Sequence, residues 1–256
     1  MTVLTRWTAA LIVFFLVDAA QLLLLVPDRT AELWAWEILP EITAMVLASA
    51  YVAGGYFFVR VAFGAPWRAV APGFPGVIVF VWFAAAATFL HLDRFIEQNL
   101  AFYAWIALYV VTPIAIPLLY LANERRAPPR EGPYLPRALR IVLATVGAIV
   151  VAAGAVMLVS PSTAIDAWPW TLTPLTARIM AAVVALYGTV WVAVAADGTR
   201  LGARIPLQSH ALGLATFLVV MLVEGELAPL LAAVAAAMLL TSAAVGALHM
   251  RGRAAG

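Results

Sequence analysis

The chain has no cysteine and no lysine in 256 residues, and only 11% of its residues are charged. Without cysteine there is no disulfide, thiolate nucleophile, thiolate-bound metal or iron–sulfur cluster. Without lysine there is no Schiff base, which excludes a retinal-binding protein of the usual kind despite the comparable size. The shortage of charge excludes more. A water-soluble domain keeps about a quarter of its residues charged to cover its surface, and this chain cannot cover itself that way. All fifteen basic residues are arginine, which together with abundant alanine fits a GC-rich genome. The net charge of +2 brings no expectation of nucleic acid, because the arginines lie between apolar runs and form no basic face.

What is present is apolar: 65% of the residues are hydrophobic and the mean hydropathy is +1.01. A helix needs roughly 20 mostly apolar residues to cross a bilayer. Eight stretches qualify, at about 8–26, 41–63, 73–91, 99–122, 138–159, 176–196, 206–223 and 228–249. The first is expected to be a retained helix, since its apolar run resumes as QLLLLV with no A-x-A cleavage site before it. Arginine alternates in density from one polar segment to the next. Twelve fall at the two termini and in the second, fourth and sixth loops, and three (Arg29, Arg94, Arg178) in the other loops. The positive-inside rule then places both termini in the cytoplasm and the chain in the cell inner (plasma) membrane.

Two Trp-x-Trp dyads, in WAWEILP and WPWTLTP, lie 134 residues apart: Trp34 and Trp168, Trp36 and Trp170, Pro40 and Pro174. The same offset pairs Pro27 with Pro161 and Gly54 with Gly188. It is close to half the chain, as a tandem duplication requires. The expected fold is all-α: eight transmembrane helices arranged as two parallel four-helix repeats. Their bounds are 1–126 and 138–256, with a cytoplasmic linker at 127–137. An even number of spans per unit sends both copies through the membrane in the same direction, about an axis along its normal. The dyads fit two readings. As headgroup-level anchors they would keep each indole N–H wet. As aromatic walls they would fold inward around an outer vestibule.

Several polar side chains are candidates for function. Asp18 lies within the first span with Gln21 one turn on, and the pair is expected to share a face directed into the bundle. HLDRFIEQ, at the outer end of the third span, brings His91, Asp93, Arg94 and Glu97 together as an acid/base group, carboxylates and an anion clamp. Arg94 and Glu97 are spaced to pair at i, i+3. Glu224 and Glu226 occupy the corresponding end of the seventh span. Nine of the thirteen acids fall on the outer side, where a ring of carboxylates would attract cations. His210 and His249 are expected near inner helix ends, solvated. No H-x-x-x-H or H-E-x-x-H spacing exists, so neither metal nor other cofactor is expected. No phosphate loop, G-x-S-x-G or paired aspartate-rich motif is present. Pro113 and Pro117 should kink the fourth span.

The aromatic outer loop, AAAATFLHLDRF and WPWTLTPLTAR together resemble uncharacterised multi-pass membrane proteins of GC-rich bacteria, over most of the chain. That resemblance implies membrane localisation and carries no activity. Three functions stay open. The first is a transporter or channel-like protein with a pathway between the repeats, using Asp18, Gln21, His91, Asp93, Arg94, Glu97, Glu224 and Glu226. The second is a non-catalytic scaffold or accessory subunit, with a membrane-protein partner or homo-oligomer beside the lipids. The third is an enzyme acting on a lipid or isoprenoid at the outer leaflet, with His91 and Asp93 as acid/base and Arg94 holding an anionic group.

Overall fold

A computed structural model describes residues 1–226 and 228–254, the side chains of 246–254 excepted. His249, Arg251 and Arg253 therefore lie outside the described side chains. The described residues form helices and no strands, with one isolated bridge between Tyr134 and Thr199. The helices are α1 (Val3–Leu25), α2 (Thr30–Leu33), α3 (Glu41–Ala62), α4 (Trp67–Val70), α5 (Phe74–Leu90) and α6 (Leu100–Glu124). After the linker come α7 (Arg137–Val159), α8 (Pro161–Ala167), α9 (Pro174–Asp197), α10 (Arg200–Val223) and α11 (Pro229–Ala254). Seven segments are long and apolar enough to cross a bilayer: α1, α3, the α4–α5 stretch, α6, α7, α9 and α10. This is the form of a polytopic membrane protein. The last expected span falls on α11, whose apolar stretch is described over Pro229–Val245.

The helix starts are set locally. Thr2, Asn99, Thr173 and Thr199 each place a side-chain oxygen on a free backbone N–H of the first turn that follows. Between α9 and α10 the run Asp197-Gly198-Thr199 turns the chain within a few residues. Gly198 takes φ +71°, a left-handed value that ends α9, and Thr199 caps α10.

At the centre stand α3 and α9, which bury most of their side chains. α1 lies along α3 and α7 along α9. α10 also packs on α3, and α5 on α9. α6 flanks α5, and α11 flanks α10. The chain termini of the helices define two ends of the bundle. One carries residue 1 and the 125–136 linker and is called the linker face. The opposite one carries both Trp-x-Trp loops and is called the tryptophan face.

Apolar burial alone cannot hold these helices together, because hydrocarbon is as apolar as a leucine side chain. Close backbone approach supplies the contact instead. It is tightest between α7 and α9, where a Cβ added at Gly188 would lie 2.6 Å from the Gly147 carbonyl oxygen. A Cβ at Gly154 would lie 2.8 Å from the Ala185 nitrogen. Gly188→Val should therefore push α7 off α9 and cost about 3 kcal/mol. Gly55→Ala, whose new carbon meets nothing within 4 Å, should stay within about 0.5 kcal/mol of the parent. Thermal unfolding followed by size-exclusion chromatography in detergent compares the two.

Candidate functional site

The first tryptophan dyad is not a headgroup anchor. Trp34 and Trp36 are 8% and 2% exposed, folded inward against Trp105 of α6 with ring centroids 5.7 and 4.8 Å away. Phe95 and Tyr51 complete the cluster. The 34–38 loop is fixed from both sides. The Ile38 N–H donates to the Thr30 hydroxyl at 3.0 Å, and Asn99 Nδ2 donates to the carbonyls of Glu32 and Trp34, each at 2.7 Å. The second dyad is half-buried, and Trp170 Nε1 donates to Thr43 Oγ1 of α3 at 2.8 Å. That bond ties the 168–173 loop to α3.

Asp18 and Gln21 do not point into the bundle. Both are exposed, on the side of α1 opposite Ala9, Ala19, Ala20 and Leu23, the residues it buries. Asp18 borders a groove of about 90 Å³ between α1 and α6, floored by Trp34, Tyr51 and Trp105. Gln21 borders a different groove, shared by α1, α3 and Leu212 of α10.

Beyond α5, the residues expected to converge do not come together. Asp93 and Arg94 hold each other at 3.0 Å, both well exposed, in place of the Arg94–Glu97 pair, and Glu97 is exposed. His91 is engaged by Arg178, whose Nη1 donates to His91 Nε2, so the ring is neutral with its proton on Nδ1. Burial, and then the Arg178 guanidinium, holds the His91 pKa below the usual value of 6.5. Arg178 belongs to the first turns of α9 and also donates from Nε to the Leu158 carbonyl at 2.9 Å. It thereby joins α5, α7 and α9 at the tryptophan face.

Where α3, Trp170 and the end of α10 meet, a pocket of about 370 Å³ opens on the same face. Glu41, Glu224 and Glu226 line it, all exposed. Deeper along the contact of α3, α9 and α10 lies a small polar group. Ser209 Oγ donates to the Ala53 carbonyl at 2.7 Å, and His210 lies against Tyr187 with ring centroids 4.3 Å apart and planes tilted by 40°. His210 is 2% exposed and its Nδ1 has no hydrogen-bond partner, so the expectation of a solvated histidine is wrong. The reason is the start of α10. It begins at Arg200, with Arg204 inside its second turn, rather than at 206. His210 thus stands near mid-helix. Tyr187 also reaches Gly213, where a Cβ would meet its hydroxyl oxygen and the Ala53 Cβ. Among the described residues, no three His, Asp or Glu side chains are placed to hold a metal ion.

The linker face carries a network that the sequence reading missed. Glu124 accepts from Arg68 Nη1 at 2.6 Å, Trp67 Nε1 at 2.8 Å and Arg130 Nη2 at 3.3 Å. Arg130 Nε donates to Asp197 Oδ2 at 2.8 Å, and the Asp197 side chain is 4% exposed. The Asp197 carboxylate raises the Arg130 pKa through that bond. The backbone of the linker is bound as well. The Leu135 N–H donates to the Gly198 carbonyl at 2.8 Å, and the Arg200 N–H donates to the Pro133 carbonyl at 2.9 Å. In the sequence only the density of charge in ERRAPPREGP, residues 124–133, which Glu124 opens, hinted at this.

Asp197→Asn should weaken the linker bonds by about 1–3 kcal/mol, the cost of losing charge-assisted acceptors at a buried site, read as a lower melting temperature in detergent. For His91 the depressed pKa means that the folded state prefers the neutral ring. Its stabilisation is complete above the unfolded value of 6.5 and is lost as the pH falls below that toward the folded pKa. The melting temperature of the parent should accordingly fall more steeply from pH 7 to about pH 5 than that of His91→Gln. Compared with known proteins, the chain matches no family model, no curated protein and no solved structure.

Proposed function

We propose that the protein is an eight-span transporter of two parallel four-helix repeats, with a cation pathway where the repeats meet. The helix bounds support the duplication. Shifting α1 by 134 residues gives the bounds of α7, and the same shift carries the Pro27–Leu33 stretch onto α8. Shifted likewise, α3 falls within α9, and a shift of 133 carries Trp67–Leu90 onto α10. The packing supports it too, since exchanging the halves turns the α3–α10 contact into the α9–α5 contact. Such an exchange is what a two-fold axis along the membrane normal produces. The arginine bias makes the linker face cytoplasmic and the tryptophan face external, with α11 as the eighth span returning the C-terminus to the cytoplasm.

The observation that carries the transport reading is the acidic pocket at the external junction of the halves. Glu41 comes from the first half, and Trp170, Glu224 and Glu226 from the second. Three carboxylates in one mouth attract cations. Beneath them lie Thr43, Ser209, Tyr187 and His210, a sparse polar line at the repeat interface. Tyr187 against Gly213 and Ala53 closes it at mid-depth. A second reading, a subunit of a larger complex, is favoured by α1 and α7, each of which leaves most of its surface uncovered. The lipid-enzyme reading is not carried forward, because His91 is held by Arg178 while Asp93 and Arg94 hold each other.

Currents from proteoliposomes on a solid-supported membrane, after jumps in sodium, potassium, choline or tetraethylammonium, test transport. At least one cation should give a protein-dependent current, and Glu224→Gln with Glu226→Gln should raise its half-saturating concentration by about tenfold. Absence of current with all four, from protein that melts as the parent does, would falsify the reading.

A further inference from the structure

We infer that the groove between α1 and α6 is a lateral binding site for a membrane-resident amphiphile with a single alkylammonium head. The two helices are joined at both ends and part between them. At the linker face the Thr2 N–H donates to Asn123 Oδ1 at 2.8 Å and Asn123 Nδ2 donates to Thr5 Oγ1 at 2.7 Å. At the tryptophan face Asn99 binds the 32–34 loop, and the Ile96 N–H donates to the Ala35 carbonyl at 2.9 Å. The opening lies between these clasps. Small residues on both walls, Ala19 on α1 and Ala101 and Ala104 on α6, leave it room.

Charge decides the class of ligand. Asp18 is the one carboxylate on the groove, which holds no Arg, Lys or His, and it makes no hydrogen bond or ion pair with any described residue. Leu25 is the last residue of α1, so Asp18 sits roughly 10 Å from the helix end, at hydrocarbon depth. A carboxylate at such depth needs a counter-charge, and the groove supplies none. The floor of Trp34, Tyr51 and Trp105 presents aromatic rings, which attract ammonium groups. A lone carboxylate without further oxygen ligands does not suit a divalent ion. A zwitterionic phospholipid would bring a phosphate with no cation to receive it. A second copy of the chain brings no cation to this depth either. Every arginine of the seven long helical segments lies within five residues of an end. An amphiphile already in the bilayer meets the carboxylate with its head and the apolar walls of Phe15, Leu22 and Leu108 with its chain. The site lies away from the repeat junction and does not rest on the transport reading.

Electron paramagnetic resonance of the full chain in phosphatidylcholine nanodiscs tests this with three spin-labelled probes, stearylamine, stearic acid and phosphatidylethanolamine. The immobilised component should favour stearylamine over the other two by about threefold, the size of an ammonium contact that keeps some exposure. Asp18→Asn, which breaks no existing bond, should bring the ratio to about one. Ala104→Leu, which fills the groove and keeps the charge, should lower it as well. Equal immobilisation of all three probes by the parent protein overturns the assignment, as does a preference that survives Asp18→Asn. Selection of phosphatidylethanolamine refutes the single-cation head. A monomer–dimer balance that shifts with Asp18→Asn, without probe selectivity, assigns the face to a partner helix instead.

Discussion

Hydrocarbon offers a backbone N–H or C=O no partner, so the polar groups of a spanning segment must be satisfied within the segment. That constraint makes the long apolar runs helices and keeps turns and caps at the two faces. It also concentrates polar chemistry where helices end. Thr2, Asn99, Thr173 and Thr199 each serve a helix start. The denser networks, Arg178 with His91 on one face and Glu124 with Arg68 and Arg130 on the other, lie at helix ends too. Between the faces, contact depends on small residues, and Gly147 against Gly188 is its closest instance.

Much of the fold could be read from composition because the bilayer sets span length. The expected 41–63 and 138–159 differ by a residue at one end from Glu41–Ala62 and Arg137–Val159. The expectation failed where charge was taken as a boundary. Arg200 and Arg204 were left outside their helix, although long arginine side chains at helix ends can reach back to the interface. That six-residue error moved His210 from mid-helix to an apparent terminus.

Which way a side chain points was harder to read. In a soluble helix the apolar stripe marks the inner face, but in lipid both the packed and the exposed faces are apolar. The alanines and leucines of α1 therefore did not distinguish its packed side, and Asp18 and Gln21 were placed inward when they lie outward. The first tryptophan dyad was ambiguous for a related reason. Its burial depends on Trp105 and Phe95, far along the chain, and no local pattern announces them. The linker network depends on Asp197, a single acid at the end of an apolar helix, which reads as nothing more than a solvated terminus.

The segment from Arg130 to Leu135 has the composition of a slack tether, with a proline, a glycine and scattered charge. It is instead fastened along its length, by Arg130 to Asp197 and by its backbone to Gly198 and Arg200. A strap of this kind transmits force. When the α9–α10 corner tilts, the segment must move with it, and through Glu124 the end of α6 is drawn along. The chain's midpoint is thus a coupling rod, and an affinity tag or reporter spliced into it would uncouple the bundle while leaving every apolar helix intact.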